Sequence, residues 1–124
     1  MTSIWPTEIR IAKDRRSLCL TFNDAETFSL SAEMLRVLSP SAEVKGHGPG
    51  QEVTVPGKRN VTIISVTPTG NYAIRIGFDD VHDSGIYTWT YLRELGERGG
   101  ELFASYEKAL ADKGMTRDVS EKPR

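Results

Sequence analysis

A chain of 124 residues, 27% charged and 38% hydrophobic, has length for one core and the composition of a folded domain rather than a disordered one. Its net charge of −1 gives no long-range attraction for nucleic acid or an anionic membrane, and no apolar run approaches the ~20 residues of a membrane span. One cysteine, Cys19, forbids an intramolecular disulfide, and the opening residues MTSIWPTEIR lack the basic and apolar blocks of a secretory leader, so a reducing, cytoplasmic setting is expected.

Glu8-Ile9-Arg10-Ile11 alternates in polarity and predicts a first strand, with Lys13-Asp14-Arg15-Arg16 as the turn after it. Ser17 to Phe22 alternates again, placing Leu18, Leu20 and Phe22 on one face and Cys19 on the other. Asn23-Asp24-Ala25-Glu26 carries turn chemistry, and Thr27 to Leu30 returns as a third strand. Ser31 stands ahead of Ala32-Glu33-Met34 as a cap, so a short helix is predicted to about Leu38, ended by Pro40. Residues 45–60 are rich in glycine and proline, with Glu52 to Val55 as a strand candidate. Val61 to Val66 and Tyr72 to Phe78 predict a hairpin joined through Pro68-Thr69-Gly70-Asn71, with Tyr72, Ile74, Ile76 and Phe78 on one face.

After the polar turn Asp79 to Gly85, Ile86, Trp89, Leu92 and Leu95 recur every third residue, and Tyr87 and Tyr91 lie four apart. That spacing predicts a helix starting at Ile86. Gly96, Gly99 and Gly100 predict its end, Leu102, Tyr106, Ala109 and Leu110 a second helix to about Lys113, and residues 114–124 a polar, frayed tail. The order strands, short helix, strands, helices gives a single small α+β domain over residues 1–113. Its sheet is mainly antiparallel, with a short helix after the first strands and C-terminal helices packed on it.

Chemistry is sparse. Cys19 has no histidine near it in sequence and reads as a structural thiol. No serine lies in a Gly-x-Ser-x-Gly elbow, and Gly46-His47-Gly48-Pro49-Gly50 lacks both the spacing and the Gly-Lys-Ser/Thr ending of a phosphate loop. With no activated nucleophile beside a base, no catalytic residue, cofactor or enzymatic activity is expected. The basic clusters Lys13-Asp14-Arg15-Arg16 and Gly57-Lys58-Arg59 read as solvated turns. The acidic turn offers Asp79, Asp80, His82 and Asp83 as oxygen and imidazole ligands for a divalent metal. The same residues also suit a plain turn: Asp83 or Ser84 can cap the helix that follows, and His82 can bond a backbone carbonyl. Trp89, Leu92 and Leu95 are assigned to the core, while Tyr87 and Tyr91 are candidates for an outward-facing partner patch.

Three blocks in this order and spacing carry a family resemblance: the opening strand pair, LSAEMLRVLSPSAEVKGHGPG, and VTIISVTPTGNYAIRIGFDDVHDSGIYTWTYLREL. Their most specific parts are Gly70-Asn71-Tyr72, Phe78-Asp79-Asp80-x-His82 and Gly85-Ile86-Tyr87-x-Trp89-x-Tyr91-Leu92. Over about residues 4–96 the chain resembles the gamma-butyrobetaine hydroxylase-like N-terminal domain family. In the hydroxylases this domain precedes a double-stranded β-helix that carries iron and 2-oxoglutarate. The resemblance implies a structural zinc, held by a Cys-x-Cys-x-x-Cys run after Leu-Arg and by the histidine of the acidic turn. Here Leu35-Arg36 is kept, but the cysteine positions fall on Ser39, Ser41 and Val44, and only His82 matches.

Hydroxyls and valine do not replace thiolates, so the zinc site is expected to be lost, as in a cysteine-free bacterial branch of the family that the chain resembles. Oxygenase activity is not implied either, since a facial triad needs two histidines and a carboxylate and the chain has two histidines in all, with no His-x-Asp/Glu. The same domain is appended to some Mrp-type ATPases that carry iron–sulfur clusters. That association implies an accessory role in iron–sulfur or redox protein assembly, although one cysteine cannot supply the four thiolates of a cluster. The expected function is a non-catalytic interaction module with a protein partner, using Ser39, Ser41, His47, Tyr87 and Tyr91, and with no nucleic acid or membrane. The alternative is a metal- or small-ligand-binding accessory domain built on His82, Asp79, Asp80 and Asp83.

Overall fold

The computed structural model describes residues 3–41 and 54–118. Strands β1 (Pro6–Ile11), β2 (Ser17–Phe22) and β3 (Thr27–Ser31) are followed by helix α1 (Ala32–Val37), then by β4 (Ile63–Thr69), β5 (Ala73–Phe78), β6 (Gly85–Thr88) and helix α2 (Trp89–Asp112). The strands form two antiparallel three-stranded sheets, each a meander in chain order. The molecule is the small α+β domain that the order of elements predicts.

The alternating residues build the core as their period requires. Leu18, Leu20, Phe22 and Leu30 of the first sheet join Ile63, Ile74, Ile76, Phe78 and Tyr87 of the second in one buried cluster, closed by Met34 and Leu35 of α1 and by Leu92 and Leu95 of α2. A smaller cluster of Val37, Tyr106 and Leu110 ties the two helices together further along α2. Burying one such aliphatic or aromatic side chain is worth roughly 1.5–3 kcal/mol. Tyr72 does not join its predicted face: it precedes β5 and is exposed, because the strand begins one residue later.

Ser31 caps α1 as predicted, its Oγ accepting from the Met34 amide at 3.0 Å. The predicted helix at Ile86 is a strand instead. Gly85 to Thr88 pairs with β5 in register, Ile74 opposite Tyr87 and Arg75 opposite Ile86, so Tyr87 faces the core and Ile86 faces out. The helix begins at Trp89, and its cap is Thr88, whose side chain accepts from the Tyr91 amide, rather than Asp83 or Ser84. β-Branched and aromatic residues beside an open sheet edge override the three-residue recurrence.

The two predicted C-terminal helices are one. Gly96, Gly99 and Gly100 lie inside α2, where a glycine costs about 1 kcal/mol relative to alanine. Close packing explains the first: a Cβ on Gly96 would stand 2.6 Å from the Phe28 ring of β3. Arg93, one turn away, bonds both oxygens of Asp24 at 3.1 and 2.8 Å and lies over the Phe22 and Phe28 rings. The helix ends in a Schellman motif, with Gly114 at φ +68°, Met115 N donating to Leu110 O and Gly114 N to Ala111 O.

Residues 115–118, predicted to fray, are tied down. Gly57 N donates to Thr116 O, Arg59 N donates to Arg117 O, and Arg117 grips the buried Glu33 carboxylate through two 2.7 Å bonds. Of the strand candidate at 52–55, Glu52 and Val53 lie outside the described residues, and Thr54 and Val55 are not in a strand. No helix among the described residues is long and apolar enough to cross a membrane.

Three described turns hold a non-glycine residue at positive φ, Arg15, Ala25 and Val81, and the last is β-branched. Phe78 N donates to His82 O and Val81 N to Phe78 O, a tight closure that puts Val81 at φ +72° with 88% of its surface exposed. The left-handed region disfavours L-residues, and a β-branched one most. Val81→Asn is expected to raise stability by about 0.5–1 kcal/mol, read as a higher urea midpoint at unchanged slope, because asparagine tolerates that conformation. A lower midpoint would show that the valine side chain contributes packing its exposure hides.

Candidate functional site

Two chain segments meet where α1 ends and the β5–β6 turn begins. After Leu38 the chain passes through Ser39 and Ser41, both buried, and the facing turn contributes His82, also buried. Ser39 Oγ lies 3.0 Å from His82 Nε2, and the Ser41 amide donates to the same Oγ at 3.3 Å. Ser41 Oγ meets Ser84 Oγ at 2.9 Å. Gly85 lets β6 pass against this junction, since a Cβ there would overlap Ser39 Oγ.

Beneath it, Tyr87 is fully buried and donates to the Leu35 carbonyl at 2.5 Å. Burial pushes its hydroxyl well above the ordinary phenol value, against a smaller opposing pull from the Ser39 side chain. Tyr91 donates to the Leu38 carbonyl, and burial, with the Glu94 carboxylate adding, pushes it up to about 12. Both hydroxyls thus bind carbonyls at the end of α1, where the helix leaves its last acceptors without intrahelical donors.

On the outer side Asp80 is a hub. Its Oδ2 takes Arg36 Nε at 2.7 Å and Lys58 Nζ at 2.6 Å, and its Oδ1 accepts the His82 amide at 3.2 Å. Burial works to raise the Asp80 carboxyl, but Lys58 and Arg36 outweigh it and hold it below the usual carboxylate range. Arg36 Nη1 is buried with no hydrogen-bond partner among the described residues.

The four metal candidates therefore do different things. Asp80 is taken by two cations, Asp79 Oδ1 accepts the Thr62 amide at 3.1 Å, Asp83 is exposed, and His82 turns its Nε2 to Ser39. Among the described residues no three His, Cys, Asp or Glu side chains gather as a metal site. Of the interaction candidates, Ser39, Ser41 and Tyr87 are buried and cannot form a partner patch; Tyr91 is half-buried, and His47 lies outside the described residues. Tyr87 fails as a surface residue because it belongs to a strand, where it shares the inward face.

Of the cysteine positions implied by the family resemblance, Ser39 lies beside the histidine, Ser41 Oγ meets Ser84 Oγ, and Val44 is outside the described residues. The donor set does not fit zinc, because neutral hydroxyls stand where thiolates would bind. Hydrogen bonds cross-link the two segments instead. The Asp80 hub was not legible from the sequence, since Arg36 lies in a helix and Lys58 in a loop, 44 residues and 22 residues from it, without a local pattern.

Comparison with known proteins supplies the family. The family model described as gamma-butyrobetaine hydroxylase-like, N-terminal, matches residues 9–93. Two proteins solved by NMR in solution are similar over nearly the whole chain. The first is 45% identical, with 94% of this chain and 92% of that one covered at a TM-score of 0.79; the second is 38% identical, with 98% and 94% covered at 0.79. A crystal structure of a protein of unknown function from Acidithiobacillus ferrooxidans, of the DUF971 family, is 37% identical over 73% of this chain and 91% of that one, with a TM-score of 0.61. No curated protein matches significantly. A match over most of the length, on the fold that carries those residues, makes this chain a member of the gamma-butyrobetaine hydroxylase-like N-terminal domain family.

Proposed function

We propose that the chain is a non-catalytic accessory module that docks on a protein partner in the cytoplasm, in the service of iron–sulfur or redox protein assembly. The observation that carries this reading is the use of the polar side chains at the junction. Ser39 is fully buried and bonded to His82, and Asp80 is bonded to two cations, so these groups bond one another rather than a substrate. A nucleophile must reach its substrate, and a metal ligand must keep a lone pair aimed at the metal. Cys19 is a free thiol in a half-buried strand position, consistent with a reducing compartment. The iron–sulfur context rests on the family's association with cluster-carrying ATPases, and the module contributes contact rather than cluster ligands.

Affinity capture from cells, with Cys19→Ser beside the unaltered chain, tests the reading. The same partner proteins are expected with both, because no thiolate ligation is involved. Capture of nothing above background would overturn it. So would saturable binding of zinc or iron(II) at micromolar metal that disappears in His82→Ala, since that would establish the metal-binding alternative.

A further inference from the structure

Two basic turns distant in sequence meet at one edge of the molecule. Arg16 Nη2, in the β1–β2 turn, donates to the Arg59 carbonyl at 3.1 Å and to Asn60 Oδ1 at 2.8 Å. Arg15 Nη1 donates to the Ile63 and Ile64 carbonyls at 3.2 and 3.3 Å, and the Arg15 carbonyl accepts from Ile63 N at 2.8 Å. Among the described residues, every acceptor of these two side chains is neutral. The guanidiniums are therefore held in place without their charge being cancelled.

Nearby carboxylates act mainly elsewhere: Asp118 pairs with Arg59, Asp80 with Lys58 and Arg36, and the exposed Asp79 accepts the Thr62 amide at 3.1 Å. Asp14 alone stands in the turn, its Oδ1 accepting the Arg16 amide, against the charges of Lys13, Arg15 and Arg16. Beside them β4 has a bulge between Ile63 and Ser65, which turns Ile64 outward with 54% of its surface exposed while Ile63 stays buried.

We propose that this face, with Arg15 beside Ile64 and the exposed Lys13 and Arg16 in the same turn as Arg15, docks an acidic protein segment that carries an apolar side chain. The proposal rests on the accessory-module reading and names the chemistry of its partner. Arginine beside an apolar anchor is the composition of interface hot spots, and guanidiniums already fixed by the fold lose little freedom on binding. Charge complementarity selects an acidic partner, and the net charge of −1 on the whole chain selects a short acidic segment over a polyanion. Nucleic acid is further disfavoured because neither turn carries an aromatic side chain on which a base could stack.

The test is fluorescence anisotropy of the full chain with a fluorescein-labelled peptide of aspartate and glutamate around a central leucine. Saturable binding in the range of about 10–100 μM is expected, weakened roughly tenfold by Lys13→Glu, by Ile64→Glu and by leucine-to-serine exchange in the peptide. Both protein variants alter exposed side chains, and an unchanged melting temperature confirms that they fold. Binding unaffected by either variant, or no saturation at millimolar peptide, overturns the proposal. Single-stranded DNA that binds more tightly than the peptide also overturns it, in favour of nucleic acid. Loss of peptide binding with cellular capture intact condemns this face alone, whereas failed capture condemns the accessory reading itself.

Discussion

Asp80→Asn is expected to lower the free energy of unfolding by about 2–3 kcal/mol at pH 7. The substitution keeps an oxygen to accept the His82 amide but removes the charge that Arg36 and Lys58 share. Those cations are only 11% and 21% exposed, and the Asp80 side chain 18%. Breaking a fully buried pair costs about 3–5 kcal/mol, and partial exposure here lowers that figure. Arg36 already has one buried nitrogen, Nη1, without a partner among the described residues, so loss of the Asp80 charge adds to an existing deficit at its guanidinium.

The pH dependence follows from the direction of the Asp80 shift. Its folded carboxyl lies below the unfolded value of about 4, so its contribution is fully present above that value and fades as pH falls through the folded one. Urea unfolding at pH 7 and pH 2.5 should therefore show a gap between the unaltered chain and Asp80→Asn that narrows in acid. A gap that stays constant would mean that the hub works through packing rather than charge.

What was legible in the sequence was what depends on neighbours a few residues away. The alternation of Leu18, Leu20 and Phe22 gave the strand, and Ser31 gave the cap, because both signals are local. Tyr87 misled because aromatic and β-branched residues fit either period, and only pairing with β5 decides between them. The glycines of α2 misled for a related reason. Gly96 reads as a helix breaker until Phe28, 68 positions earlier, is seen against it. At the junction, the family resemblance linked Ser39 with His82, and the structure brings them within hydrogen-bond distance. Nothing local reported that Arg36, Lys58 and Arg117 would find Asp80 and Glu33, since ion pairs between distant segments leave no periodic trace.

Gly85→Ala is expected to cost about 3 kcal/mol, at the upper end of the usual range for overpacking a filled core. The new methyl would overlap Ser39 Oγ and stand 3.0 Å from the Tyr87 ring. Ser39 has no room to yield: it is fully buried, its hydroxyl is bonded to His82, and it accepts the Ser41 amide. Either Ser39 turns away and gives up its bond to the histidine nitrogen, or β6 moves outward and takes Tyr87 from the Leu35 carbonyl. Ser39→Ala alone should cost about 1–3 kcal/mol, the loss of the two buried hydrogen bonds that its hydroxyl makes with His82 and the Ser41 amide. In the double variant the overlapping oxygen is gone and only the ring contact remains, so the two losses should fall short of their sum by at least ~1 kcal/mol. Additive losses in denaturant unfolding would mean that β6 relaxes independently of Ser39. Coupled losses would mean that the strand, the serine and the histidine form one packed unit, in which Gly85 is required because any side chain there would occupy the place of the Ser39 hydroxyl.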